Sequence, residues 1–233
     1  MKQQNKYIEN TYIIYDGPSL IDGGPIVSIL TLSTNNKKLV EKKKPFAQLW
    51  FLRKDVDPIT ASRLGLDESI CGNCHLKGQA DKNKKSGWAK NRPCYVILYM
   101  APLNLFNNIS NYEKISINEA CKKIAGLKLR LGAYGDSGCI DQSIIDKLVK
   151  ASKSHLGYTH QWNHKKASTN PAHTMASVET LDQKTAANKK GFRTFRVVNN
   201  VNKLLTLFTT LKVLNPFLLA AGFWSSVSTL AIV

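Results

Sequence analysis

Apolar positions follow two different periods along the chain, and the change of period divides it. Over 11–15, 25–32 and 47–52 they form short runs rich in Ile, Leu, Val and aromatic residues. Asp16-Gly17-Pro18 and Asp22-Gly23-Gly24-Pro25 punctuate these runs. Such runs between turn residues predict strands. An Asn- and Lys-rich stretch over 35–44 separates the second from the third and reads as a solvated loop or strand edge. From 57 onward a helical period appears. Asp57-Pro58 opens one short helix and Gly65 closes it. Ser116, with Glu119 three residues on and Gly126 at the stop, frames a second. A third is predicted over 141–152, with Ile144, Ile145, Leu148 and Val149 on one face, and a fourth over 180–190 before Gly191.

Strands are predicted between these helices, from 127 to the glycine turn at 132–136 and over 155–162, 174–178 and 192–198; 95–100 reads as a strand or the start of a helix. Strand recurrence at about twenty residues is the rhythm of βαβ units. The expected organisation is a β-rich segment over 1–56, an α/β core over 57–198 carrying a cysteine loop at 69–95, and an apolar tail over 199–233. An incomplete or distorted (β/α) barrel-like core fits best; an open parallel α/β sheet is the alternative. In either, chemistry belongs at the carboxyl ends of the strands. The tail carries only Lys203 and Lys212 as charges. Its last part, 213–233, is borderline for a membrane anchor, and Pro216, Gly222 and three serines favour a packed terminal helix instead.

Charge adds a partner class. With 33 Lys+Arg against 16 Asp+Glu the formal charge is +17. An excess of that size predicts attraction to polyanions, DNA or RNA first and anionic membrane second. The competing reading is a solvated lysine-rich surface. The N-terminus leads into no apolar signal core, so a cytoplasmic location is expected. In a reducing compartment the five cysteines point to metal or redox chemistry before disulfides.

Three stretches carry candidate chemistry. In the first, Cys71-Gly72-Asn73-Cys74 can clasp one ion between two thiolates, with Cys94 as a third ligand and His75 as a fourth. Zinc or an iron–sulfur cluster accepts such a set. The pattern completes no zinc finger, and a pair of reduced thiols in a loop is the plainer reading. Cys121 and Cys139 read as core or loop residues. In the second, Gly132-Ala133-Tyr134-Gly135-Asp136 places a carboxylate at a strand end as a general base, a ligand or merely a helix cap, with Tyr134 beside it facing substrate. In the third, His160 is expected to stand beside Asp136, with Trp162 offering a stacking surface. Ser177 and Glu179 fall at the next strand end, Glu179 as a further acid–base candidate, and Arg196 is placed to meet an anionic ligand. The chain has no Walker loop, dinucleotide fingerprint, nucleophile elbow or H-E-x-x-H motif, which disfavours those enzyme classes.

Taken in order, S-I-C-G-N-C, P-C-Y-V, L-R-L-G-A-Y-G-D, G-Y-T-H-Q-W, M-A-S-V and G-F-R-T-F-R-V resemble an uncharacterised family of phage and plasmid proteins. Motif order is more loosely similar to the phage gene product 88 family. The resemblance covers about 25–198 and implies a mobile-element origin, a bacterial cytoplasm and, by fold-level analogy, a cysteine-ligated cluster near the strand ends of a barrel. It implies no established activity. It also implies a second cysteine cluster after R-T-F-R-V, whereas the last cysteine here is Cys139.

Overall fold

A computed structural model of the protein describes residues 10–32 and 46–196. The lysine-rich stretch at 35–44 and the tail, including its candidate anchor, lie outside the described residues. Among the described residues no helix is long and apolar enough to cross a membrane.

Among the described residues eight strands form one sheet: β1 (Thr11–Pro18), β2 (Pro25–Thr31), β3 (Phe46–Arg53), β4 (Glu113–Lys114), β5 (Lys128–Tyr134), β6 (Ser154–Thr159), β7 (Met175–Val178) and β8 (Thr194–Arg196). Their order is β4-β1-β2-β3-β5-β6-β7-β8. Six α-helices accompany them among the described residues: α1 (Pro58–Leu64), α2 (Glu68–Cys71), α3 (Ala101–Asn107), α4 (Ile117–Ile124), α5 (Gln142–Ala151) and α6 (Leu181–Lys189). The mixed α/β class is as expected, but the barrel is not. Strands β4 and β8 are two free ends of an open sheet among the described residues, so the open-sheet alternative holds. The physical reason lies at β1–β3. They pair antiparallel to one another and join the parallel half through β3 against β5. The first three strands thus extend the sheet sideways, where a barrel would need further βα units to curl it shut.

Local chemistry explains the elements. Asp57 accepts the amides of Ile59 and Thr60 at 2.9 and 3.0 Å, and Gly65 ends α1 at φ 76°. Ser116 and Glu119 form a reciprocal capping box on α4. Leu129 and Leu131 of β5, Ile124 of α4, and Ile145 and Leu148 of α5 belong to one core with the fully buried β2–β3 residues Ile26, Ile29, Leu49 and Phe51. The segment 95–100 is neither strand nor helix. Arg92 Nη1 donates to the carbonyls of Cys94 and Val96 at 3.3 and 2.8 Å, and these oxygens are then occupied by a side chain and not by a sheet ladder. The helix begins only at Ala101, with Pro102 in its first turn.

Candidate functional site at the carboxyl edge of the parallel strands

Strands β5, β6 and β7 end on the same edge of the sheet, and the cysteine loop is fastened there. The amide of Asp136, just past β5, donates to the carbonyl of Ile70 in α2 at 2.7 Å. This contact sets Cys71, the last residue of α2, beside the strand end. Gly72 then turns the chain at φ 45°. A side chain at Gly72 would collide with the Gln161 carboxamide, so both the backbone conformation and the space call for glycine.

Gln161, fully buried, holds the turn by both ends of its amide. Nε2 donates to the Cys71 carbonyl at 2.7 Å, and Oε1 accepts the Asn73 amide at 3.1 Å. Lys77 Nζ adds a bond to the Gly72 carbonyl at 2.6 Å and an ion pair with Glu68. The basic excursion between the cysteines returns on itself. Gln79 and Lys90 exchange backbone bonds at 2.8 and 2.9 Å, and the Cys94 amide donates to the Leu76 carbonyl at 3.1 Å. Cys94 is thereby brought back onto the Cys71–Cys74 turn.

Electrostatics agree with that placement. Burial pushes the Cys71 thiol well above its ordinary range, and neighbouring Asp67, Cys74 and Cys94 push it further. Burial likewise raises Cys74, to about 12, with Cys94 and Asp136 adding to the effect. Asp67 is raised to about 6 by burial. Beneath the loop lies Tyr134, buried, with its hydroxyl among Cys71, Asp67, Arg92 and Cys94. Its Oη and the Nε of Arg92 are buried without a hydrogen-bond partner among the described residues. Two buried polar groups in the neighbourhood of the thiols therefore have no partner. The three thiols do not stand converged: among the described residues no group of three or more His, Cys, Asp or Glu side chains is assembled as a metal-ligand set.

No protein-family model, curated protein or solved structure matches the chain. Its site is therefore read from its own geometry.

Asp136 and His160 do meet, but not as an acid–base pair. Asp136 is buried and accepts from the Gly138 amide at 2.9 Å, the Thr159 hydroxyl at 3.0 Å and the His160 backbone amide at 2.8 Å. Burial raises its carboxyl, and the backbone donors oppose that shift. It serves as the cap of the 3-10 turn at Ser137–Cys139 and as the clasp between the ends of β5 and β6. The Thr159 hydroxyl accepts in turn from the Gln161 amide at 2.9 Å, so the clasp runs from Asp136 through Thr159 and Gln161 to the cysteine turn.

The His160 imidazole faces His75, with ring centroids 5.6 Å apart. Burial and the neighbouring His75 lower its pKa to about 4, so it is neutral at pH 7. His75 Nδ1 lies 2.5 Å from Glu179 Oε1, beyond the end of β7. His75 thus touches His160 on one side and Glu179 on the other, two contacts that spacing along the chain did not reveal.

The remaining candidates separate. Trp162 is fixed by its indole N–H to the Ser177 carbonyl at 3.1 Å and packs on the small core of Ala176, Val178, Ala187 and Phe192. Arg196 is half-buried, its Nε unpartnered among the described residues. Ser177 belongs to the half-exposed face of β7, away from the cysteines' support. Cys139 is in the core and Cys121 lies on α4, as expected. Sequence reasoning missed Thr159, Gln161 and Arg92. A signal existed for the first two: polar residues two apart at the end of a strand share its inward face.

Proposed function

We propose that this α/β protein binds a metal ion or iron–sulfur cluster in the loop of Cys71, Cys74 and Cys94, at the carboxyl edge of β5–β7. The observation that carries the reading is the pair of orphaned donors, Tyr134 Oη and Arg92 Nε, buried beside these thiols. A buried donor without an acceptor is costly, about 1–3 kcal/mol each. An anionic thiolate–metal centre is an acceptor for both. Burial holds the Cys71 and Cys74 thiols protonated, so metal binding would have to release those protons, a cost that the positive charge of the ion would offset.

Two backbone ties favour the reading: Cys94 is bonded to Leu76, and the first turn is clamped by Gln161 and Lys77. His75 is the fourth candidate: Glu179 engages Nδ1 and leaves Nε2 to ligate, an arrangement that fixes ring orientation at metal sites. A bound ion would supply Lewis acidity or, as a cluster, electron transfer. The chain's own contribution is to hold the loop, to exclude water with Tyr134, and to keep His160 neutral alongside. The motifs that resemble the phage and plasmid family contribute most of these residues.

The test is metal analysis and visible spectroscopy of the intact chain purified anaerobically, beside Cys71→Ser, Cys74→Ser and Cys94→Ser. The reading expects bound iron or zinc in the wild type and its loss in each variant with the far-UV spectrum preserved. Absence of both metals from the wild type, or full retention in all three variants, overturns it.

A further inference from the structure

Among the described residues, helices cover the parallel half of the sheet on one side only. Pairing aligns Leu129, Leu131, Gly157, Thr159, Ala176 and Val178 on one face, where α5 and α6 pack. The opposite face presents Arg130, Leu156, Tyr158, Met175, Ser177 and Phe195. Crossovers of one hand between successive strands put both helices on the same side, which is why the other is bare.

The bare face is a row of planar groups. Arg130 Nη2 donates to Tyr95 Oη at 2.7 Å, and the guanidinium lies 5.9 Å from that ring. The Tyr158 and Phe195 rings meet at 4.9 Å across the small side chain of Ser177. Tyr95 is 70% exposed, Leu156 40% and Tyr158 37%. None of the strands β5–β8 contains a carboxylate. At their amino ends stand exposed Lys153, whose amide bonds the Leu127 carbonyl before β5, and exposed Arg193, whose carbonyl receives the Ala176 amide.

We propose that this face binds single-stranded nucleic acid, with bases stacked on Tyr95, Tyr158 and Phe195 and phosphates met by Lys153 and Arg193. Stacking on exposed sheet aromatics flanked by cations is a general way to hold unpaired bases, because every base has a π-face. A duplex keeps its bases stacked internally and cannot use the row. A second copy of the chain is disfavoured as occupant, since it would set two acid-free, arginine-bearing faces of a +17 chain against each other. The inference is independent of the metal reading, and neither residue set contains a member of the other.

The test is fluorescence anisotropy of the full chain with labelled oligo(dT), oligo(rU) and a duplex of equal length, over a salt series. Both single strands are expected to bind more tightly than the duplex; a preference between them identifies DNA or RNA as the partner. Tyr95→Ala, at a site too exposed to matter for folding, and Tyr158→Ala should each weaken single-strand binding about 10-fold. The double variant Lys153→Gln/Arg193→Gln should reduce the salt slope by about 0.7 for each phosphate that is no longer neutralised. Lys165→Gln/Lys166→Gln, in the basic cleft beside Asn73, should leave the affinity unchanged. Equal binding of duplex, unchanged affinity in both tyrosine variants, or a loss confined to the Lys165/Lys166 variant overturns the proposal. So does self-association that Tyr158→Ala abolishes in a chain that binds no oligonucleotide.

Discussion

Gln161→Leu probes the clasp that holds the cysteine turn. Leucine keeps most of the volume at a fully buried position and removes both side-chain bonds, 2.7 Å to the Cys71 carbonyl and 3.1 Å from the Asn73 amide. The two losses are unequal. Asn73 is exposed, and its amide can turn to water; Cys71 is only half-exposed, and its carbonyl has a poorer replacement. The expected destabilisation is about 1–3 kcal/mol. In a chain of this size that lowers the melting temperature by about 2–4 °C per kcal/mol. Stability alone would not locate the effect. The second readout is the rate at which a thiol reagent labels the native protein: Cys71 and Cys74 should react faster as the turn loosens, while Cys139 in the core stays silent. A double-mutant cycle with Thr159→Val should show coupling of about 0.5 kcal/mol or more, because the Thr159 hydroxyl accepts the Gln161 backbone N–H at 2.9 Å and so positions the side chain that the first substitution removes. An unchanged melting temperature together with unchanged labelling would refute the clasp.

Acid should act through His160. Its folded pKa of about 4 lies below the ordinary 6.5, so its contribution to stability is complete above the unfolded value and is lost as pH falls from about 6.5 to 4. The full shift corresponds to about 3 kcal/mol at most; His160→Gln should flatten that limb of a urea-midpoint titration, and a difference from wild type that does not vary with pH would count against it. Asp67 works in the opposite sense: with a folded pKa of about 6, its contribution is present below the unfolded 3.8 and lost as pH rises through 6, so Asp67→Asn should gain on the wild type across that window in the same titration. Gly72→Ala should cost about 1–3 kcal/mol through its positive φ and the collision with Gln161, and pairing it with Gln161→Ala should recover only the collision. Ser116→Ala should cost about 1 kcal/mol by thermal melting, the value of a capping box at an exposed helix start.

Much of the local structure was legible along the chain. Asp57 with Gly65, and Ser116 with Glu119, mark helix ends because a cap bonds residues two or three positions away, within reach of a pattern. The strands at 127–134 and 174–178 were visible because their inward positions are apolar. The site was legible only as a neighbourhood. Cys71, Cys74, Cys94, Asp136, His160 and Glu179 do gather at one sheet edge, as strand-end logic expects, yet the pairing inside it differs.

Tertiary structure alone decided three things. It put β3 beside β5, which made the sheet open, since register across 70 and more residues leaves no mark in a local period. It turned Asp136 from a candidate base into a clasp, because its partners Thr159 and His160 arrive from a strand 23 and 24 residues on. It left Arg130, Tyr158 and Phe195 on the face that no helix covers among the described residues: alternation shows that two faces differ, but only the side taken by α5 and α6 shows which of them they cover. The sequence by itself determined most of the elements and the edge where the candidate residues fall, through contacts a few residues long. Partners brought together by packing determined what each side chain at that edge can do.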